Sequence, residues 1–205
     1  MLNLVIRDLQ MNFLAHIYLS GDNDQIRLGN FIGDYVKGKD HNNYASQIQK
    51  GILIHRKIDS FTDNHPIVLS HKKLFYTKYH KYAGVVTDII YDHYLAHEWH
   101  KFSDVAFDTY TEETYDWLLA NVQHMPEEMK TMVPTMVRHD WLRSYRTIEG
   151  IVSVLIGMSK GTSLPAEYDF ALFILKKHYQ ELKHGFFDYF PQLIEHIEVE
   201  LLKEK

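Results

Sequence analysis

The 205-residue chain has no cysteine. Disulfides, thiolate zinc sites and a cysteine nucleophile are therefore excluded, and a reducing cytoplasm is the expected location. No apolar run reaches the length of a membrane span, because charged or polar residues interrupt each one. The opening MLNLVIRDLQ lacks the basic start, long apolar centre and small-residue cleavage site of a signal peptide. Met11 begins a more ordinary opening, MNFLAH, so residues 1–10 read as an N-terminal extension and 11–205 as a single domain. Positive charge is in deficit: 22 Lys and Arg against 27 Asp and Glu leave a formal charge of -5, which argues against nucleic acid as a partner. Alternating runs bounded by hairpin dipeptides are missing, so strands are not expected. A P-loop, a dinucleotide glycine fingerprint and H-E-x-x-H are absent too. Gly157-Met158-Ser159-Lys160-Gly161 matches G-x-S-x-G, but that motif works on a strand-to-helix turn. Here it follows the helical run IVSVLIGM and marks a helix end.

What the chain does have is helical periodicity and histidine. Apolar positions recur at helical spacing through nearly every segment. Helices are expected at about 12–20, 25–38, 43–60, 66–82, 84–101, 111–124, 126–138, 139–159 and 166–204. Pro66, Pro126 and Pro165 sit near helix starts, where a missing amide proton costs nothing, and Pro191 is expected to break or kink the last helix. The fold class is all-α, a helical bundle. The 14 histidines, with no thiolate available, restrict any metal site to imidazole and carboxylate donors, which suits Mn, Fe, Zn or Mg.

The most informative stretch is Gly51–Pro66, GILIHRKIDSFTDNHP. His55 and Asp59 stand four apart on one helix face, with β-carbons roughly 5–6 Å apart. An imidazole and a carboxylate at that distance can share one metal ion, or one can orient the other. The alternative is a capping and salt-bridge arrangement with Arg56 and Lys57. In GVVTDIIYDHYLAHEWHK, 84–101, Asp88 and Asp92 are four apart and His93 follows Asp92. Buried among Val85, Ile89 and Tyr91, these groups would be costly without a cation; His97 and His100 read as surface residues. Asp34 lies inside the apolar run Phe31–Val36, with Asn30 one turn earlier. Gly29 and Gly33 share that side, as though another backbone or a ligand approached closely. A polar helix face carrying Asn30, Asp34 and Lys37 is the competing reading. His16 sits in the apolar MNFLAHIYL, where a lone histidine is more often a hydrogen-bonded core residue. Lys72, Lys73, Lys78 and Lys81 form a basic run without an acid, and Arg56, Lys57, Arg138, Arg143 and Arg146 add positive charge. Such groups near a metal suit a phosphate substrate or an acidic protein.

Together the segments MNFLAHIYLS, GNFIGDYVKG, GILIHRKIDSFTDNHP, TDIIYDHYLAHEW and WLRSYRTIEGI resemble the acyl-carrier-protein phosphodiesterase family, a divergent relative of the His-Asp metal-dependent phosphohydrolases. The resemblance covers most of residues 11–160. It implies an all-helical fold and a manganese-preferring hydrolase that releases 4′-phosphopantetheine from holo-acyl carrier protein, an acidic protein substrate, with no nucleic acid and no membrane as partners. On this reading His16, Asp34, His55 and Asp92 are the expected metal ligands. Asp59 and His93 are expected to orient ligands or carry protons, with Asp88 supporting them. Arg143, Arg146 and Arg56, beside Lys57, are the expected phosphate contacts. Lys72 and Lys73 are expected to steer the carrier protein. A nucleotide phosphohydrolase with the same chemistry, or a helical binding module without catalysis, are the competing functions.

Overall fold

A computed structural model describes residues 13–203; residues 1–10, read above as an extension, lie outside them. Every long element among the described residues is a helix: α1 (Phe13–Tyr18), α2 (Asp24–Phe31), α3 (Ser46–Asn64), α4 (Pro66–Tyr79), α5 (Ala83–His97), α6 (Phe107–Asn121), α7 (Glu127–Arg138), α8 (Trp141–Ser144), α9 (Ile148–Gly161), α10 (Tyr168–Lys177) and α11 (Tyr179–Leu202). None of them is long and apolar enough to cross a membrane.

Helix starts follow local chemistry. The Asn23 side chain accepts hydrogen bonds from the Gln25 and Ile26 amides at the head of α2, and Thr147 does the same for Gly150 in α9, each satisfying amides that the first helical turn leaves unpaired. Pro66 takes the first position of α4. Elsewhere the helical spacing misplaces boundaries. The expected 25–38 helix stops at Phe31 and continues as a 3-10 turn, Gly33–Tyr35. The expected 139–159 helix is two, separated at Tyr145–Thr147, and the expected 166–204 helix is broken at His178. Pro191, expected to break or kink the last helix, does not break it: it lies inside α11, which runs on to Leu202.

Helix α5 is the axis of the core. It is buried along nearly its whole length, from Ala83 to Ala96, and α1, α4, α9 and α11 pack on it. Helix α3 is held between α2 and α11. Helices α2 and α3 cross with almost no separation: a β-carbon at Gly29 would lie 2.0 Å from the Ile48 carbonyl oxygen, and one at Gly51 2.1 Å from that of Ile26. Only glycine permits that approach. The crossing brings the end of α2, and the turn after it, against the inward face of α3.

Candidate metal centre

Three segments converge at this crossing. His16 comes from α1, His55 and Asp59 from α3, and Asp34 from the 3-10 turn after α2. The His16 and His55 rings are stacked with centroids 4.2 Å apart. A β-carbon at Gly33 would fall 2.2 Å from the His55 ring, so the glycine makes room for the imidazole.

Asn30 fixes both rings. Its side-chain oxygen accepts from His16 Nδ1 at 2.8 Å, while its amide nitrogen donates to the His16 carbonyl and to Ser20 Oγ, both at 2.9 Å. Its backbone carbonyl accepts from His55 Nδ1 at 2.9 Å. With each Nδ1 donating to an oxygen, each Nε2 is left bare. Both Nε2 atoms are buried and, among the described residues, lack a hydrogen-bond partner of good geometry, a state that leaves them open to a proton or a cation.

Carboxylates face the bare nitrogens. Asp59 Oδ1 is 3.4 Å from His16 Nε2, Asp59 Oδ2 is 3.2 Å from His55 Nε2, and Asp34 Oδ1 is 3.3 Å from His55 Nε2. One ligand atom each from His16, His55 and Asp59 lies within 4.8 Å of the others. Burial works against charge on His55, but the facing Asp34 and Asp59 carboxylates outweigh it and push its pKa up to about 10, so without an ion Nε2 takes the proton that a bound cation would displace. Burial likewise resists charge on Asp59, and the two imidazoles hold its carboxyl below the usual range. The pocket therefore favours a positive charge between its donors. Two imidazole nitrogens and the Asp59 carboxylate, oriented from behind by a carboxamide and a carbonyl, fit a divalent cation, and Asp34 reaches this set through His55 alone.

Asp92 does not join the cluster in this arrangement. Its Oδ2 accepts from the Leu14 amide at 3.0 Å and its Oδ1 from the Ala15 amide at 2.9 Å, so it caps the start of α1 and sets the position of His16. Asp88, one turn earlier on α5, is buried with Oδ1 lacking a partner. Burial pushes its pKa up to about 8; Lys72 pulls it down, and Asp59, Asp63 and Asp34 lie close enough to push it further. His93 is elsewhere: its Nδ1 lies 2.8 Å from the Tyr145 carbonyl and its Nε2 3.2 Å from Tyr179 Oη. Burial depresses its pKa to about 4, so it is a neutral core histidine at neutral pH.

The basic residues divide similarly. Arg56 donates to the Val36 carbonyl at 3.0 Å and braces the chain just beyond Asp34. Lys57 lies 4.0 Å from Glu200, and Lys72 pairs with Asp63. Lys73 is exposed. Arg143 is held by Asp108, Asp140 and Glu112, and Arg146 by Asp108 at 2.9 Å. Neither arginine presents an unoccupied guanidinium. Two contributors were not singled out as site residues from the sequence. Asn30 was visible only as a polar residue in an apolar stretch. Tyr35, whose hydroxyl donates to Met132 Sδ at 3.4 Å, had no signal beyond its place next to Asp34.

Comparison with known proteins identifies the family. A protein from Photorhabdus laumondii named acyl carrier protein phosphodiesterase is 29% identical over 189 residues, spanning 92% of this chain and 96% of its own. Proteins of the same name from Yersinia pestis and Escherichia coli O6:H1 are 28% and 29% identical, each over 90% of this chain and 96% of their own. No solved structure is significantly similar. The family model described as acyl carrier protein phosphodiesterase matches residues 11–193, and the chain belongs to that family.

Proposed function

We propose that the protein hydrolyses the phosphodiester joining 4′-phosphopantetheine to a serine of holo-acyl carrier protein, giving the apo-protein, and that it does so with a divalent ion, manganese, at the His16–His55–Asp59–Asp34 cluster. The observation that carries the reading is the pair of buried, partnerless Nε2 atoms facing two carboxylates.

In this proposal His16 and His55 are the imidazole ligands. Asp59 is a ligand rather than an orienting residue, since its two oxygens face the two histidines. Asp34, which faces His55 Nε2 at 3.3 Å, is the fourth donor. Bound there, the ion supplies positive charge for a phosphoryl oxygen and lowers the pKa of a water. Asn30 keeps both imidazoles in the tautomer that leaves Nε2 free. Asp92 holds the first turn of α1, and hence His16, in place. Asp88 is the buried acid behind the cluster, placed to hold a proton. Arg56 keeps the Asp34 segment closed against α3. Exposed cations of α4, among them Lys73, draw the acidic carrier protein toward this side of the molecule.

The test is incubation with holo-acyl carrier protein and manganese, followed by mass spectrometry of the carrier. Loss of the prosthetic arm is expected, together with a free 4′-phosphopantetheine product. Chelation should stop the reaction and manganese should restore it. Hydrolysis of nucleotides with an untouched carrier protein would overturn the substrate assignment and leave the centre standing.

A further inference from the structure

Away from the cluster, α7, α8 and α9 enclose a cavity of about 460 Å³, within the roughly 300–1,000 Å³ range of small-molecule sites. Met132, Trp141, Val154 and Met158 supply apolar wall, and hydroxyls such as Thr135 and Ser153 are spaced along it. Among the described residues, no acidic or basic side chain other than His139 lines it. On α9 the wall is a strip of small residues: Ser153, Gly157 and Gly161 follow one another at four-residue intervals. A β-carbon at Gly157 or Gly161 would meet nothing within 4 Å. Gly157 is mid-helix, where glycine costs about 1 kcal/mol relative to alanine, and no neighbouring backbone demands it. The glycine keeps space open.

One residue next to the cluster in the chain touches the cavity wall. Tyr35 follows Asp34 directly, and its hydroxyl reaches Met132 in the cavity wall. We infer that this cavity seats the pantetheine arm of the substrate, the uncharged chain of methyl, methylene and amide groups that extends from the phosphate. The inference rests on the proposed reaction for its ligand. Charge selects the occupant: a wall without lysine, arginine or carboxylate suits neither a phosphate nor the acidic surface of a carrier protein, whereas a neutral chain loses little by leaving water there. The spaced hydroxyls match amides that need partners in an otherwise apolar channel. With the phosphate at the cluster, the arm passes Tyr35 and enters between α7 and α9.

The experiment uses free pantetheine, which carries no phosphate, titrated into the manganese-loaded protein by calorimetry. Wild type should bind it. Gly157→Leu, which fills the open strip, should bind about tenfold or more weakly, a loss of roughly 1.4 kcal/mol, and should raise KM for holo-carrier protein more than it lowers kcat. Val154→Phe, one turn away at most, fills the same space and guards against a folding defect peculiar to the first variant. Circular dichroism and manganese content report whether either variant retains its fold. Unchanged pantetheine affinity in both folded variants, or no binding by wild type, would overturn the inference. Binding that depends on Gly157 in a protein that leaves holo-carrier protein uncleaved would keep the cavity's role and sink the proposed reaction instead.

Discussion

Two helices carry similar-looking signatures, a carboxylate four residues from a histidine or another carboxylate, and the fold uses them in opposite ways. On α3, His55 and Asp59 face a second histidine across a gap, with both imidazole Nε2 atoms unpartnered. On α5, Asp92 gives both oxygens to backbone amides of α1, and His93 has oxygen partners at both ring nitrogens. The first pair keeps its bonding capacity for something added; Asp92 and His93 direct theirs to the chain itself, while Asp88, also on α5, keeps a buried Oδ1 without a partner among the described residues. The lesson is that residue type and spacing nominate a site, while unspent donor and acceptor capacity distinguishes a centre from a brace.

Substitutions sharpen that contrast. The largest effect on activity is expected from His55→Ala, which removes a proposed ligand. Metal affinity and turnover should fall by more than the roughly 100-fold that loss of an orienting partner costs. The measurement is manganese content and kcat/KM, and a folded His55→Ala with ordinary turnover would refute the centre. Asn30→Ala comes next, with a loss of about 10–100-fold in metal affinity, read by metal titration at fixed pH. Asp92→Ala should reverse the pattern. Two buried amides lose their acceptor at about 1–3 kcal/mol each, so denaturant unfolding should show a loss of several kcal/mol. A Asp92→Ala protein as stable as wild type but unable to bind manganese would dissolve the distinction between the helices.

A pH measurement probes the brace side separately. Glu98 is buried where α5 ends and is hydrogen-bonded by Lys183 and by Lys101. The Lys183 contact is the main cause that lowers its pKa to about 2, with Lys101 adding to it against the effect of burial. A carboxylate with a depressed folded-state pKa stabilises the fold above its unfolded value and loses that contribution as pH falls. Stability should therefore decline between about pH 4.5 and pH 2, by about 1–2 kcal/mol once solvent screening is allowed for. In Glu98→Gln that part of the decline should vanish in acid titration of the unfolding midpoint, while the metal centre is unaffected. The smallest effect is expected at Lys73: Lys73→Glu should slow association with carrier protein a few-fold at low salt, with the difference shrinking as ionic strength rises. An equal effect on a small phosphodiester would remove the docking role.

Much of the fold was legible because helical periodicity is local. So was the α3 pair, since an i,i+4 spacing fixes proximity without knowledge of any other helix. The convergence of carboxylates was not. Asp59 and Asp92 look alike in sequence, and what separates them is contact across the chain: the amides that Asp92 accepts lie 77 and 78 residues earlier. The break at His178 also lacked a local signal, because no proline, glycine or capping side chain marks it, whereas Thr147 is a capping residue that marks the start of α9. Conversely, Pro191 carried a local breaking signal, yet α11 continues through it, with Tyr189, Phe190 and Leu193 buried around it. Gly29 and Gly33 were read correctly as places of close approach, but only the assembled crossing shows that one meets a backbone and the other an imidazole.

Asn30 serves the two histidines with chemically different groups, a replaceable carboxamide for His16 and a main-chain carbonyl for His55. Only the first can be altered by changing one codon. Selection or engineering can thus retune the alignment of one imidazole by single steps, whereas that of the other is tied to the path of α2 and shifts only if the helix itself is rebuilt.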